Sequence, residues 1–389
     1  MKYIERTITP ALLERASKFP AVFVTGPRQS GKSTLVKHVF PTYDYVNFEE
    51  IDVRRFATED PRGFLHQYNN RVILDEVQRV PELFSYLQTK IDTVDSPGMY
   101  ILSGSQNFLM LKSVSQSLAG RVGVLSLLPF SLNELKSGGF MPPSSEQWMV
   151  QGGYPRAVTM NISSAIFYAD YVHTYIERDV RNETVVRDVA RFRTFLTACA
   201  ARVGNLINLV DIGKDIGADS RTISSWLSVL EESYVAFRLS PYYSGIGNRH
   251  TKTAKFYFYD TGLLCSLLGI ETGSALTSST YVGSVFENAI IAEKSKQIFN
   301  EGKTPRLFFW RDNRSKEKEI DLLIETAHNH LDLYEIKASM TANQSFASTM
   351  LRFASSSQAD CSINVIYRGE DLHSPGGLSF INWQSLGLR

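Results

Sequence analysis

The chain has 389 residues, of which 43% are hydrophobic and 21% are charged, and its formal net charge is +1. This composition is that of an ordinary globular protein, and the length suggests two or three domains. The near-zero charge excludes a global basic field that would draw the whole molecule onto nucleic acid or an anionic membrane, so any DNA contact must come from a local patch.

The first residues and the cysteines indicate the compartment. Residues 1–6 lack the apolar core of a signal peptide, and the longest apolar stretches, such as 122–130, are too short to span a bilayer. Cys199, Cys265 and Cys361 are far apart and lack the close spacing that metal and redox pairs need. We therefore expect a cytoplasmic protein with no membrane partner.

Residues 20–135 alternate short apolar runs with amphipathic segments. The runs at 21–24, 72–74 and 99–102 are typical of buried strands, and helical patterns lie between them. This alternation predicts an α/β domain with a parallel central sheet over residues 1–136.

A stretch rich in Gly, Pro and Ser interrupts this rhythm after residue 136. The pattern that follows predicts a helical lid over residues 137–201. A winged-helix-like unit is predicted over 202–254, where a turn at 217–219 precedes a helix over 220–232 and then an apolar strand.

The last segment, residues 255–389, returns to mixed α/β patterning. Its periodicity predicts a helix over 285–297 and strands at 306–311, 320–324 and 331–336. We therefore expect a second α/β domain at the C-terminal end of the chain.

A phosphate-binding motif follows the first predicted strand, because residues 26–33 match the pattern G-x-x-x-x-G-K-[ST] and precede a predicted helix. In that context glycines let backbone N–H groups face the phosphates, and the helix adds the positive end of its dipole. Lys32 would reach the β- and γ-phosphates of ATP, and the Ser33 hydroxyl would bind Mg²⁺. The residues expected to hold the nucleotide are Gly26, Pro27, Arg28, Gln29, Ser30, Gly31, Lys32, Ser33 and Thr34.

A second motif is an apolar strand that ends in Asp75 and Glu76. It looks like a Walker B element, in which Asp75 would hold Mg²⁺ through water and Glu76 would polarise the attacking water. The strand at 100–105 would end beside the γ-phosphate, where Ser105 or Asn107 can sense that phosphate. A plain transition from strand to loop is the alternative for these two residues.

Seven short segments carry a family resemblance, namely 22–34, 74–78, 102–105, 117–121, 152–155, 175–179 and 335–337. Together they resemble the AAA-type ATPases of bacteria and archaea that carry a C-terminal domain of unknown function. The resemblance covers essentially the whole chain. It implies ATP binding more strongly than it implies a biological role.

The resemblance also implies roles for two further residues. Arg121 is a candidate to neutralise charge on the transferring phosphoryl group, from the same chain or from a neighbour, and a surface or salt-bridged arginine is the alternative. Residues 153–155 resemble the element through which signalling ATPases of this superfamily let their helical lid touch the nucleotide. Pro155 is therefore a candidate nucleotide contact, with a simple loop turn as the alternative.

The predicted helix at 220–232 has the spacing of a DNA-reading helix. It offers Arg221, Thr222 and Ser225 to bases or phosphates. It also ends in two glutamates, which weaken the attraction to phosphates. Such units also serve as packing modules, so DNA reading and packing between domains both remain open, with packing preferred.

The C-terminal segment holds acidic residues that resemble those of the restriction-endonuclease-like fold. By that resemblance Asp321 and Glu335 would share Mg²⁺, Lys337 would position or activate water, and Glu287 would reach in from a helix. Glu335 and Lys337 are two apart, so a strand would place them on one face. An active metal-dependent nuclease, a nuclease-like domain that binds or regulates without cleavage, and an unrelated fold all remain open.

The sequence thus predicts an ATP-binding protein that hydrolyses ATP with Mg²⁺. The nucleotide cycle would control the winged-helix-like and nuclease-like domains, with DNA as the preferred target. The alternative is a nucleotide-gated regulatory or binding protein without nuclease activity. ATP and ADP are the expected ligands, and DNA binding and oligomer formation are open.

Overall fold

The structure is a computed structural model that describes residues 3–105, 118–176, 188–243, 253–312, 318–327, 329–373 and 377–386. Two β-sheets organise these residues. The predicted sensor Asn107 and most of the motif at 175–179 lie outside the described residues.

The first sheet has five parallel strands in the order β2-β3-β4-β1-β5. Three of the strands are buried along their whole length, which explains why the sequence shows continuous apolar runs there. The prediction of a parallel α/β sheet is confirmed. The strands are β1 (Ala21–Thr25), β2 (Asp44–Asn47), β3 (Val72–Asp75), β4 (Tyr100–Ser103) and β5 (Val122–Ser126).

Helices cover both faces of this sheet. In β1, Val22 and Val24 point to a core shared with the first two helices, whereas Phe23 points to a core shared with the next three, as the two-residue period of a strand requires. The helices are α1 (Thr9–Ala16), α2 (Lys32–Val39), α3 (Ile51–Glu59), α4 (Pro61–Gln67) and α5 (Leu83–Val94).

A mainly helical region follows the first sheet. Its last two helices lie where the sequence predicts the helix-turn-helix, and the side chains of Asn208 and Asp219 cap their N-termini. The helices are α6 (Leu132–Gly138), α7 (Ser145–Gln151), α8 (Pro155–Thr159), α9 (Ser164–Tyr171), α10 (Val189–Ala200), α11 (Leu209–Ile216) and α12 (Ser220–Glu232).

The second sheet has eight strands in the order β12-β13-β11-β10-β9-β8-β6-β7, with parallel and antiparallel pairs. The strands are β6 (Ala236–Pro241), β7 (Lys255–Phe258), β8 (Leu307–Arg311), β9 (Glu319–Ala327), β10 (His330–Ile336), β11 (Asp360–Tyr367), β12 (Leu372–His373) and β13 (Leu378–Asn382). Its helices are α13 (Thr261–Leu267), α14 (Gly273–Ser278), α15 (Val282–Asn300) and α16 (Ser348–Ser356).

One hydrophobic core joins the helical region to the second sheet. Trp226 of α12 packs edge-on against Phe195 of α10, and Trp148 of α7 stacks on Trp383, with ring centroids 5.2 Å apart. In addition, β6 pairs with β7 across residue 254, where the sequence places a domain boundary. The predicted segments 137–201, 202–254 and 255–389 therefore share a core, and the positions of their boundaries stay predictions.

Helix α15 connects this core to the first domain. The Leu132 N–H donates a hydrogen bond of 3.0 Å to Glu293 Oε1, and Lys296 Nζ donates one of 3.1 Å to the Phe130 carbonyl oxygen. Both α15 side chains are buried, and burial raises the pKa of the Glu293 carboxyl. Within the described parts of the chain, no helix is both long enough and apolar enough to cross a bilayer.

We expect the variant Glu293→Gln to change how stability depends on pH. Because the folded-state pKa of Glu293 is raised above its ordinary value of 4.5, the folded protein holds this proton more tightly than the unfolded chain does. The wild type should therefore lose stability, relative to the variant, as the pH rises from the unfolded pKa through the folded pKa. Urea unfolding at a series of pH values measures this difference.

The control is Glu301→Gln, which changes an exposed carboxylate just beyond the same helix. It should leave the pH dependence unchanged. Parallel stability curves for the wild type and Glu293→Gln would contradict the assignment.

Candidate nucleotide site

The loop after β1 has a backbone that only glycine adopts without strain at two positions. Gly26 has φ +143° and Gly31 has φ +95°. A Cβ at Gly26 would lie 2.1 Å from the carbonyl oxygen of Leu127, so a side chain there is also excluded by space. The motif glycines thus allow the loop to curl tightly and lead directly into α2.

Lys32, the first residue of α2, folds back into this loop. Its Nζ donates hydrogen bonds of 3.0 Å to the Gly26 carbonyl oxygen and 2.8 Å to the Pro27 carbonyl oxygen. The ammonium therefore lies inside the curl, at the N-terminal end of a helix. A cavity of about 350 Å³ opens in front of the loop and is lined by Arg28, Gln29, Gly31, Lys32, Ser33, Thr34, Glu76, Pro155 and Arg156.

Asp75 ends β3, next to the cavity residue Glu76, and is 3% exposed. Tyr45 donates a hydrogen bond of 2.6 Å to its Oδ2, while Ser103 Oγ and the Glu76 N–H donate to its Oδ1. Burial, and then the Asp75 carboxylate, raise the pKa of Tyr45, so this phenol stays a donor. Sequence reasoning missed Tyr45, because its role depends on β2 pairing with β3.

Glu76 lines the cavity with a left-handed backbone, φ +57°, which is uncommon for a residue other than glycine. Its carboxylate accepts a hydrogen bond from Gln78 Nε2, which also donates to Ser105 Oγ over 3.1 Å. The predicted sensor Ser105 is therefore linked to Glu76 through the side chain of one residue. Gln78 makes this link and was not predicted as a functional residue.

The helical region touches the loop through residues 153–155. Pro155 lines the cavity, and its Cγ is 3.7 Å from the position of a Cβ on Gly31. The Tyr154 hydroxyl donates to the Tyr171 hydroxyl over 2.8 Å, and Tyr171 donates to the carbonyl oxygen of Arg28 over 3.4 Å. The structure thus brings Pro155 to the phosphate loop, as the resemblance implied, and its contact with nucleotide stays a prediction.

Arg121 lies at the amino-terminal ends of the strands, whereas the loop follows the carboxyl-terminal end of β1. It precedes β5, and its carbonyl oxygen accepts a hydrogen bond from the Ala21 N–H at the start of β1. The loop begins five residues further along β1, roughly 15 Å away at the rise of a strand. The guanidinium forms an ion pair with Asp92 of α5. Arg121 and the phosphate loop of the same chain therefore lie at opposite ends of parallel strands, and the role of Arg121 at the γ-phosphate stays a prediction.

The C-terminal acidic residues converge at the junction of β9, β10 and α15. Asp321 Oδ2 accepts a hydrogen bond of 2.8 Å from the Ile336 N–H, and Glu335 Oε1 lies 2.6 Å from Lys337 Nζ. Burial, and then the charges of Glu287 and Glu335, raise the pKa of Asp321. The structure thus brings the four predicted residues into one cluster.

A residue that sequence reasoning missed occupies this cluster. Lys255 of β7 is 3% exposed, and its Nζ contacts Glu287 Oε1 at 3.1 Å and forms a closer ion pair with Glu319. Burial alone would lower the pKa of Lys255, but Glu287 and Glu319 outweigh it and raise the pKa. The Tyr257 hydroxyl donates to the same oxygen of Glu287 over 2.6 Å.

These donors do not fit a divalent cation as they stand. The ammonium of Lys255 forms ion pairs with Glu287 and Glu319, and no group of three His, Cys, Asp or Glu side chains among the described residues is arranged to hold a metal ion. The predicted Mg²⁺ site at Asp321 and Glu335 is therefore not supported by this arrangement.

Helix α12 buries most of its apolar side chains in the shared core. Arg221 is exposed, while Thr222 is half-buried and donates to the Asp219 side chain over 3.1 Å. Glu231 accepts two hydrogen bonds of 2.7 Å from Arg238, so the end of the helix presents an ion pair. This face carries few unpaired positive charges for a DNA backbone.

A curled glycine loop at the carboxyl ends of a parallel sheet, with Glu76, the residue after the strand that ends in Asp75, lining the same cavity, defines a P-loop nucleotide-binding protein. The comparison with protein families agrees: residues 18–136 match an AAA domain, and residues 282–386 match a domain of unknown function, DUF4143. The chain thus carries an AAA domain followed by a C-terminal DUF4143 domain, as the resemblance implied. Residues 143–274 match another domain of unknown function, DUF8612.

Similar proteins extend over most of the chain. An uncharacterized protein of Mycobacterium tuberculosis is 29% identical over 373 residues, which cover 94% of this chain and 81% of that protein. An uncharacterized protein of Methanocaldococcus jannaschii is 22% identical over 361 residues and covers 83% of this chain and 75% of that protein.

Two solved structures are similar to parts of this chain. The Walker-type ATPase PABY2304 of Pyrococcus abyssi aligns with a TM-score of 0.44 and 14% identity and covers 67% of this chain and 94% of that chain. RuvB of Thermotoga maritima aligns with a TM-score of 0.31 and 18% identity and covers 59% of this chain and 86% of that chain. The family assignment is based on the AAA match and the site geometry.

We expect Arg121→Ala to lower ATP turnover by about 10³-fold if a neighbouring chain supplies this guanidinium, while the melting temperature stays unchanged. An exposed ion pair with Asp92 contributes little to stability, so its loss should not unfold the protein. Phosphate release and thermal unfolding measure the two quantities.

A mixing experiment separates supply by a neighbour from a structural role. Combining Arg121→Ala with Lys32→Ala should restore part of the turnover, since one chain supplies the loop and the other the guanidinium. Asp92→Ala is the control, because it breaks the same ion pair and keeps Arg121. Normal ATP turnover in Arg121→Ala would show that Arg121 is a surface or salt-bridged arginine without a role in hydrolysis.

Proposed function

We propose that this protein hydrolyses ATP with Mg²⁺ at the candidate nucleotide site. One observation carries the proposal: the phosphate loop and Glu76 line the same cavity, and the buried Asp75 directly precedes Glu76 in the chain. The donor set fits a magnesium-bound triphosphate, because the loop offers backbone N–H groups, an ammonium and the Ser33 hydroxyl.

Each residue would contribute one part of the reaction. Lys32 and the N-terminus of α2 would hold the phosphates, and Ser33 together with Asp75 would hold the cation, which neutralises charge on the phosphates when bound. Glu76 would orient the attacking water and accept its proton. The hydrogen bond from Gln78 supports this role, since it restrains the carboxylate at the cavity edge.

We also propose that the nucleotide state is passed to the C-terminal region. Two sets of contacts support this. Lys296 and Glu293 of α15 hold the backbone at Phe130 and Leu132, and the buried Asp260 accepts a hydrogen bond of 2.7 Å from the Gly153 N–H beside Pro155. A change in the conformation of the phosphate loop would thus be passed through the segment at Phe130 and Leu132 and through the segment at 153–155.

The preferred form of this control is a nucleotide-gated regulatory or binding protein, without nuclease activity. The observation that favours it is Lys255, whose ammonium forms ion pairs with Glu287 and Glu319 inside the acidic cluster and so places a fixed positive charge there. DNA remains a proposed target, and the burial of α12 favours a packing role for that helix. Stimulation of ATP hydrolysis by DNA tests this part of the proposal.

The proposed hydrolysis predicts opposite phenotypes for two variants. Glu76→Gln should bind ATP normally and hydrolyse it at least about 100-fold more slowly, since the base that orients water is lost. Lys32→Ala should lose ATP affinity instead. Titration calorimetry and phosphate release measure the two effects.

The control for these variants is Glu82→Gln, an exposed carboxylate near the start of α5, which should behave as the wild type. Normal ATP affinity in Lys32→Ala would refute the assignment of the phosphate loop.

If the Lys255 ammonium takes the place of a cation, the acidic cluster should bind a metal ion in a variant that lacks this lysine. Lys255→Met should lose about 3 kcal/mol of stability in metal-free buffer, because the partly buried Glu287 and Glu319 lose the ammonium that they share. Mn²⁺ should restore part of that loss in the variant, and should not stabilise this region in the wild type. The double variant Lys255→Met, Glu287→Gln should lose the restoration.

Urea unfolding with and without Mn²⁺ measures this effect, and Lys303→Met is the control because Lys303 is an exposed lysine that pairs with Glu301 outside the cluster. DNA cleavage by the wild type with Mg²⁺ or Mn²⁺, abolished by Asp321→Asn, would overturn the regulatory reading in favour of a nuclease.

A further inference from the structure

Arg6 lies under the phosphate loop, in the segment that precedes α1. It is 5% exposed, and its guanidinium donates three hydrogen bonds: Nη1 to the Ser30 carbonyl oxygen at 2.8 Å, Nη2 to the Leu128 carbonyl oxygen at 2.6 Å and Nε to Glu134 Oε1 at 2.9 Å. One side chain therefore joins the loop to two positions about a hundred residues further along the chain.

The position of this guanidinium is fixed from several sides. Its carbon lies 4.8 Å from the centre of the Phe130 ring, and Glu134 is 1% exposed. Glu134 also accepts hydrogen bonds from the Thr7 N–H at 2.8 Å and the Ser131 N–H at 2.9 Å, so the orientation of its carboxylate is fixed. An arginine fork held in this way has one orientation.

The bond to Ser30 has a direct consequence for the loop. In a trans peptide the C=O and the following N–H point in opposite directions, so fixing the Ser30 carbonyl also fixes the Gly31 N–H. Arg6 lies on the carbonyl side, with Nη1 3.5 Å from the position of a Cβ on Gly31. The Gly31 N–H is therefore turned away from Arg6, and Gly31 itself lines the cavity.

We propose that Arg6 is a positioning residue for the phosphate loop. It holds the Ser30 carbonyl away from the nucleotide and so presents the Gly31 N–H to the phosphates before they bind. This inference rests on the proposed ATP site. A lysine cannot replace the arginine, because a single ammonium does not reach three acceptors in fork geometry.

The expected result is a loss of affinity that is equal for ATP and ADP. Arg6→Lys should bind both about tenfold more weakly, which corresponds to the net contribution of one well-placed hydrogen bond. KM should rise by a similar factor while kcat changes little, since the contact exists before and during the reaction. Titration calorimetry and steady-state kinetics, at a temperature where circular dichroism shows the variant folded, measure these values.

Two further variants keep the test independent of folding defects. Glu134→Gln retains the arginine and loosens its orientation, and should show a smaller loss of affinity in the same direction. Arg15→Lys is the matched control, because Arg15 of α1 also donates to backbone carbonyls, those of Ala11 and Gly302, but does not contact the loop. Its nucleotide affinity should equal that of the wild type.

The inference is overturned if Arg6→Lys and Glu134→Gln lower stability but bind ATP and ADP with wild-type affinity per folded molecule. It is also overturned if Arg15→Lys loses as much affinity as Arg6→Lys. The proposed ATP site fails in a different way, namely if the wild type does not bind ATP more tightly than Lys32→Ala does.

Discussion

The backbone of residues 26–31 is the constraint on which the rest of the molecule depends. To face a phosphate, consecutive N–H groups must point inward, and this forces positive φ angles at Gly26 and Gly31. Such a curl has few internal hydrogen bonds, so neighbouring elements must hold it. Arg6 donates a hydrogen bond to the Ser30 carbonyl oxygen of the loop, and Pro155 of the segment 153–155 packs beside Gly31. The N-terminal segment and the helical region are thus placed by the needs of one short loop.

The sequence predicts the features of this site that are local. The loop, its flanking strand and helix, and the pair Asp75 and Glu76 each lie within a few consecutive residues, so spacing alone identifies them. The partners that orient them are distant in sequence: Arg6 is 128 residues from Glu134, and Lys255 is 32 residues from Glu287. A single sequence gives no signal for such pairs. The placement of Arg121 was open for the same reason, because it depends on the direction of a neighbouring strand.

Helices and strands follow from local periodicity, whereas the hydrophobic cores that join them do not, so the sequence predicts the elements but not how they pack together. The helix-turn-helix lies where the spacing of α11 and α12 predicts it. Its apolar side, however, is buried against residues from α10 to the C-terminal end of the chain, and β6 belongs to the second sheet. An apolar face in the sequence predicts that a helix packs against another element. The identity of that element follows only from the fold.

Helix α15 spans the distance between the two candidate regions. Glu287 near its start reaches the cluster around Lys255, and Lys296, nine residues later, holds the backbone at Phe130. Nine residues of helix measure about 14 Å along the axis. More than half of its residues are buried, and we expect a helix packed in this way to transmit a displacement as a stiff rod rather than to bend. A displacement of a few tenths of an ångström beside the phosphate loop would therefore arrive almost undiminished at the far end, without any rearrangement of whole domains.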